Sequence, residues 1–281
     1  MKTAHCVPVL MYHHISPEIG PITTSPKNFD DQMKGLVDAG YSTLTCDQFA
    51  DFLAGKPTPP KSVLLTFDDG YLDNWVHAHP ILKKYGLRAS MFVVTGLIGD
   101  GPIRPCAEQE GVTLPRLPSH LECRALWTAG STDSAMLRWS EIQAMRAAGT
   151  FEFHCHTYTH TRWDLVSKTR EECLAHMRHE FEASHALLKE HLGGGSQHFC
   201  WPQGYFADDY VNLAQVFGFR YLYTTQTHGQ NLCAKNSTHI YRIGVKNRGA
   251  RWFLHRIWIA SHPVVGPLYN KWQSWKRKLR G

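Results

Sequence analysis

Two adjacent carboxylates, Asp68 and Asp69, close the run Thr66-Phe67-Asp68-Asp69-Gly70, and two histidines four apart, His156 and His160, sit in His154-Cys155-His156-Thr157-Tyr158-Thr159-His160. At a strand end neighbouring side chains diverge, so one carboxylate can bind a cation while the other faces the water that the cation activates. The same pentapeptide also suits a helix N-cap and turn, where Asp and Gly are common. Histidines four apart can converge on one metal, and imidazole with carboxylate suits zinc or a similar divalent ion. A lone pair of histidines in a chain with 18 of them is more often surface or core. Beside a strand-end pair of aspartates, however, they form an Asp/His/His set with positions left for water and substrate, as a hydrolytic metal site requires. Cys155 is a rival soft ligand that strand alternation turns away from its neighbours.

The elements that must position these residues alternate along the chain. Strand-like runs are expected at Val7–Tyr12, Val63–Phe67, Ala89–Val94, Thr150–Cys155, His198–Trp201, Arg220–Thr224 and Ile240–Val245. Between them Phe29, Met33, Leu36 and Val37 mark one helical face, and Ile81, Leu82 and Tyr85 mark another that ends at Gly86. Ser140 with Gln143 and Thr169 with Glu172 have capping-box form; the second opens a helix carrying Leu174, Met177, Phe181 and Leu188 before Gly193-Gly194-Gly195. Alternation of this kind predicts a parallel sheet or barrel clothed in helices, with chemistry at the carboxyl ends of the strands. Residues 99–138, rich in Pro, Gly and polar side chains, break the pattern and are expected to form a loop or cap over the site.

Three motifs, Thr66-Phe67-Asp68-Asp69-Gly70, His156-Thr157-Tyr158-Thr159-His160 and Trp201-Pro202-Gln203-Gly204-Tyr205, resemble in this order those of the polysaccharide deacetylases of the NodB-homology group, carbohydrate esterase family 4. The opening Pro8-Val9-Leu10-Met11-Tyr12-His13-His14-Ile15 is similar to the poly-N-acetylglucosamine deacetylase branch. The resemblance covers roughly residues 7–245 and implies an α/β fold, a distorted (β/α) barrel of the NodB-homology type with a long insertion at about 99–138. It further implies that Asp69, His156 and His160 hold a divalent metal, zinc or alternatively nickel, cobalt or ferrous iron, and that Asp68 is the general base. His13 takes the part of general acid, with His14 as the fallback and as a substrate contact. The third motif departs from its pattern, with Gln203 where many members have Tyr and Trp201 where some have Arg. The backbone of Gln203 can still serve an oxyanion hole, whereas Trp201 is either a sugar-stacking wall or a core residue. Gly204 and Tyr205 complete the expected substrate-binding set. The family's late leucine-and-histidine motif has no clear counterpart, His228 and His239 being weak candidates. The implied activity removes the N-acetyl group from an amino sugar in a polysaccharide, lipopolysaccharide or lipid-linked precursor. The alternatives are a hydrolase of a non-sugar amide and a non-catalytic carbohydrate-binding protein.

Composition sets the remaining limits. The 281 residues are 43% hydrophobic and 19% charged, which excludes a disordered or disulfide-scaffold chain. The formal charge of +6 comes from the end of the chain, since residues 246–281 hold nine basic residues and no acidic ones, leaving −3 for residues 1–245. The expected division is a barrel over 1–245 and a basic amphipathic tail over 246–281. In that tail Trp252, Phe253, Leu254, Ile257, Trp258 and Ile259 cluster, and Leu268, Trp272, Trp275 and Leu279 fall on one helical side among Lys271, Lys276, Arg277, Lys278 and Arg280. A basic helix with tryptophan predicts contact with an anionic inner membrane leaflet through 249–281, the rival being a helix packed on the barrel. No nucleic-acid module accompanies the charge. Eight scattered cysteines without a C-x-x-C pair read as reduced thiols, and the N-terminus lacks the pattern of an export signal, so a cytoplasmic location, peripheral to the membrane, is expected.

Overall fold

The computed structural model describes residues 3–234 and 237–278. The first half of the chain runs β1 (Val9–Tyr12), β2 (His14–Ile15), β3 (Thr23–Thr24), α1 (Pro26–Asp38), β4 (Ser42–Thr43), α2 (Cys46–Leu53), β5 (Ser62–Asp69), α3 (His79–Tyr85) and β6 (Ala89–Val93). The second half continues through α4 (His120–Thr128), α5 (Trp139–Ala147), β7 (Phe151–Cys155), α6 (Trp163–Val166), α7 (Arg170–Leu192), β8 (His198–Cys200), α8 (Asp208–Val216), β9 (Tyr221–Tyr223), β10 (Ile243–Gly244), α9 (Ala250–Ser261) and α10 (Val265–Lys278). Polar caps start several helices where the sequence offers them. Ser25 opens α1, Thr45 and Gln48 form a capping box on α2, Thr169 opens α7, and Gly86 and Gly193 end α3 and α7 in the left-handed conformation.

Among the described residues the strands pair in parallel, in the order β10-β1-β5-β6-β7-β8-β9 with β4 added on β5 and β2 beside β3 apart from them. Ile240 bridges Tyr223 of β9, and Ile243 pairs with Leu10 of β1, so residues 240–244 join the two edges of the curled sheet. The result is the expected distorted (β/α) barrel. Strand alternation sorts its residues into two layers. Val9, Leu64, Phe92, Cys200, Tyr223 and Ile240 pack inside, where α2 plugs the amino-terminal end with Cys46, Phe49 and Phe52. Leu65, Phe67, Val93, Cys155, Phe199 and Trp201 face the outer helices and their larger core.

Two stretches differ from expectation. The 99–138 insertion carries α4, opened by a capping box between Ser119 and Glu122, and its flanks are pinned by the Arg104–Glu141 pair at 2.7 Å. In the tail, Phe253 and Ile257 of α9 are buried in the outer core. Helix α9 comes close to α1 at Gly35, where an added Cβ would lie 2.9 Å from the Ala250 Cβ. Gly35→Val therefore forces the two helices apart, and we expect it to destabilise the protein by about 1–3 kcal/mol in denaturant unfolding; a variant of unchanged stability contradicts this packing.

Candidate metal centre

The two adjacent aspartates end β5 in opposite environments. Asp68 continues the inward face and is buried against Arg242, whose Nη1 and Nη2 donate to its Oδ1 and Oδ2 at 2.6 and 2.8 Å. Arg242 rides on the segment that closes the barrel, and its Nε donates to the Thr224 carbonyl at 2.8 Å. Burial alone would raise the Asp68 pKa, but the guanidinium outweighs it and holds the carboxyl below its ordinary range. Asp69 turns away through a positive φ of 75°, and its Oδ1 is buried without a hydrogen-bond partner.

That orphaned oxygen faces two imidazoles. His156 Nε2 lies 3.4 Å and His160 Nε2 3.6 Å from Asp69 Oδ1. With metal–ligand bonds of about 2.0–2.1 Å, two donors on a tetrahedral ion stand about 3.3–3.4 Å apart. Asp69, His156 and His160 therefore fit a divalent cation. His156 Nδ1 is 2.8 Å from the Cys200 carbonyl and donates to it, which leaves Nε2 as the donor atom toward a metal. Asp68, His156 and Cys200 also cluster, but Arg242 engages both Asp68 oxygens and sits 2.9 Å from Cys200 Sγ, so its positive charge opposes a cation there. The arginine thus satisfies Asp68 as an ionised neighbour and leaves Asp69 as the aspartate with an open oxygen toward the histidines.

The histidine loop is held from outside the barrel. Buried Glu180 on α7 accepts from the backbone N–H groups of Tyr158 and Thr159, both at 2.7 Å, and from Trp163 Nε1 at 3.0 Å. Thr157 and His160 adopt φ of 69° and 62°, and Gln203 has 53°; with Asp69 these are four of the five positive-φ non-glycine residues among the described ones. Strain of this kind, gathered around one site, is stored by the packing that supports it. Cys155 turns outward as strand alternation requires, with its sulfur 3.1 Å from Ser184 Oγ.

The other predicted residues fall into two groups. His13 Nε2 stands 3.8 Å from Asp68 Oδ2, on the partly exposed side of the site. Gln203 and Gly204 form the turn after β8, and Gly204 is required there because its Cβ would lie 2.0 Å from Thr225 Oγ1. Two expectations need correction. Trp201 is fully buried, stacked toward Phe206 and Tyr210 beneath α8, so its ring is a core element and no sugar wall. His14 is also buried, with Nδ1 2.6 Å from Asp73 Oδ2 and its ring stacked on Tyr71 at 3.7 Å, which removes it from substrate contact. Tyr205 packs under the Arg162 guanidinium, 4.2 Å from the ring centre. His228 and His239 line a different cavity, formed with α10, and do not join the site. The aromatic ring that does reach it is Trp127 of α4, half-buried and 6.0 Å from the His160 ring. Arg242, Glu180 and Trp127 carried no motif in the sequence; only the alternation of Ile240-Tyr241-Arg242 could have pointed Arg242 into the barrel.

Burial lowers the pKa of His79, His160 and His198 to about 4 from an ordinary 6.5, against the opposing pull of Glu108, Asp69 and Asp47 respectively. Between those values the unfolded chain binds more protons than the folded one, so stability falls as pH falls through that window. The metal-free protein should thus lose thermal stability progressively from about pH 6.5 to about pH 4; a melting temperature that is flat over this range contradicts the buried neutral state of these histidines.

The chain has relatives among known proteins. A family model described as polysaccharide deacetylase matches residues 55–222. YxkH of Bacillus subtilis (strain 168) is 45% identical over 94 residues, 33% of each chain. A poly-beta-1,6-N-acetyl-D-glucosamine N-deacetylase of Staphylococcus aureus (strain MRSA252) is 23% identical over 210 residues, 73% of this chain and 62% of that one. The chain thus spans less than two thirds of the length of these relatives. The fold matches that of IcaB from Ammonifex degensii, with a TM-score of 0.71 at 24% identity over 92% of this chain and 99% of the other. It also matches the Streptococcus pyogenes deacetylase PplD, with a TM-score of 0.70 at 24% identity over 93% and 100%. With more than half of its length matched by the family model and the barrel shared with these structures, the chain belongs to the polysaccharide deacetylase family.

Proposed function

We propose that this protein is a metal-dependent N-deacetylase that hydrolyses the acetamide of an N-acetylated amino sugar, within a polysaccharide or on a lipid-linked or lipopolysaccharide-type glycolipid, and releases acetate. The observation that carries this reading is the division between Asp69, whose free oxygen faces two histidine nitrogens, and Asp68, held ionised beside them by Arg242. The sugar named for the Staphylococcus aureus relative supports a sugar amide over another amide. The intact set of Asp68, Asp69, His156 and His160 argues against a non-catalytic binding protein. Zinc suits the two imidazoles and one carboxylate, and nickel, cobalt or ferrous iron would accept the same donors.

A divalent ion at Asp69, His156 and His160 supplies Lewis-acid activation of the acetamide carbonyl and of water. Asp68 accepts the proton of the attacking water, and Arg242 fixes the plane of its carboxylate so that the free lone pairs keep one direction. His13, 3.8 Å from Asp68 and nearer to solvent, delivers a proton to the departing sugar nitrogen. Water oxygen ends in acetate, the C–N bond breaks, and the amine leaves protonated. The backbone N–H of Gln203 would serve the oxyanion, while that of Gly204 donates to the Trp201 carbonyl at 2.9 Å. Trp127 offers a stacking surface for the sugar at the edge of the site.

Helix α10 gives the site a surface to work from. Leu268, Trp272 and Trp275 are exposed along it, near exposed Val264 and Trp258, with Lys271 exposed beside them and Lys276 Nζ 3.7 Å from the Trp272 ring centre. This pattern supports docking on an anionic membrane. Leu279, expected on the same face, lies outside the described residues, and no described helix is long and apolar enough to cross a membrane. All eight cysteines are free thiols, which supports a reducing, cytoplasmic-side location.

The decisive assay incubates the metal-loaded protein with N-acetylglucosamine oligomers and with membrane-derived glycolipids and measures acetate. Asp68→Asn should lower release by about 10²–10⁴-fold with unchanged metal content, and Arg242→Gln should lower it as well; a fully active Asp68→Asn variant overturns the base assignment. In sedimentation with lipid vesicles, Trp272→Ala with Trp275→Ala should abolish binding to anionic vesicles, and equal binding of the native chain to neutral vesicles contradicts the membrane reading.

A further inference from the structure

Below the metal centre, β7 places a second set of donor atoms inside the barrel. Alternation sends Phe151, Phe153 and Cys155 outward, and Glu152 and His154 inward toward α2. There Glu152, His154 and the Cys46 thiol bring their donor atoms within 4.8 Å of one another. Cys46 and His154 are buried, and Cys46 is the first residue of α2.

The hydrogen-bond directions leave this cluster one partner short. The hydroxyl hydrogen of Ser196 goes to the His198 carbonyl at 3.0 Å, so at 2.7 Å Ser196 Oγ accepts from His154 Nδ1–H. Nδ1 thus donates there, and His154 Nε2, buried and without a hydrogen bond, faces Glu152 Oε1 at 3.3 Å. Glu152 Oε1 in turn accepts from the Cys46 backbone N–H and the Ser90 hydroxyl, both at 2.5 Å. The 3.3 Å spacing is the edge of a tetrahedron with bonds of about 2.0–2.1 Å. The Tyr223 hydroxyl donates to Cys46 Sγ at 3.4 Å, and burial holds the thiol above its ordinary range, so a bound ion would displace its proton. A cavity of about 310 Å³ lined by Asp47, Glu152, His154, Ser196 and His198 connects the cluster to the amino-terminal face of the barrel.

We propose that Cys46, Glu152 and His154 form a second metal site, distinct from that of Asp69, His156 and His160, which takes a zinc-like transition-metal ion and pins α2 to β7. Thiolate, imidazole and carboxylate together select zinc or cobalt over magnesium or calcium. Its place at the end of the barrel away from the catalytic residues makes it structural.

Cobalt(II) separates the two sites, because only the lower one holds a thiolate among its ligands. The full chain loaded with cobalt and desalted should retain two ions by elemental analysis and show thiolate-to-cobalt charge-transfer absorption. Cys46→Ser should lose that absorption and one ion, whereas His156→Ala should lose one ion and keep the absorption. Cys200→Ser should keep both. Should Cys46→Ser not fold, His154→Gln tests the same site with the thiol in place, and it should also lose one ion and alter the absorption. Retention of a single ion by the native chain, or absorption that survives in Cys46→Ser or is lost in Cys200→Ser, overturns the proposal.

Discussion

The ion pair between Arg242 and Asp68 is the constraint on which the rest of the site depends. It joins the strand that begins the chemistry, β5, to the segment that closes the barrel, and it does so inside the barrel with both carboxylate oxygens engaged. A buried pair of this kind is weak support for stability, because desolvation offsets much of its Coulomb gain. Its effect here is to assign roles. By satisfying Asp68 it leaves Asp69 as the carboxylate with an open oxygen, and the turn of φ to 75° carries that oxygen to the histidines.

The supporting packing follows from that division. Asp69, Thr157, His160 and Gln203 each adopt a left-handed backbone that costs on the order of 1 kcal/mol or more, and the Thr157 hydroxyl accepts from the His160 N–H at 3.0 Å. Glu180 ties the histidine loop to α7, the Cys200 carbonyl orients His156, and Asp73 fixes His14 behind His13. The 99–138 insertion then brings Trp127 to the open side. The interior of the barrel is correspondingly polar along β7, where Glu152, His154 and His156 succeed one another.

The fold and the candidate metal set of Asp69, His156 and His160 are legible in the sequence because their signals are local. Strand runs, the cap at Thr169 and the spacing of His156 and His160 are all read within one element, whereas the cap expected at Ser140 falls instead on Arg138 with Glu141, and the Ser140 hydroxyl donates to the Gly101 carbonyl. What was not legible depends on distant chain. Arg242 lies 174 residues from Asp68 and belongs to no motif, and Glu180 looks like any solvent-facing helix residue until α7 is docked. Trp201 was ambiguous because the strand end before the 3₁₀ turn can present its ring to either layer; its place between Phe199 and Tyr210 decides for the core. His14 adjoins His13 in sequence yet faces Asp73, since consecutive strand residues point opposite ways. The α9 segment was set apart in the sequence by its charge; the burial of Phe253 and Ile257 and the close approach at Gly35, which join it to the outer layer, depend on distant chain.

The most direct test of the central claim is anomalous diffraction from a crystal of the zinc-loaded protein, recorded at the zinc absorption edge. The account predicts a peak about 2.0–2.2 Å from a carboxylate oxygen of Asp69 and from Nε2 of His156 and His160, with Arg242 still paired to Asp68. A peak coordinated by Asp68 and Cys200, with Arg242 displaced, or no peak beside His156 and His160, would contradict it.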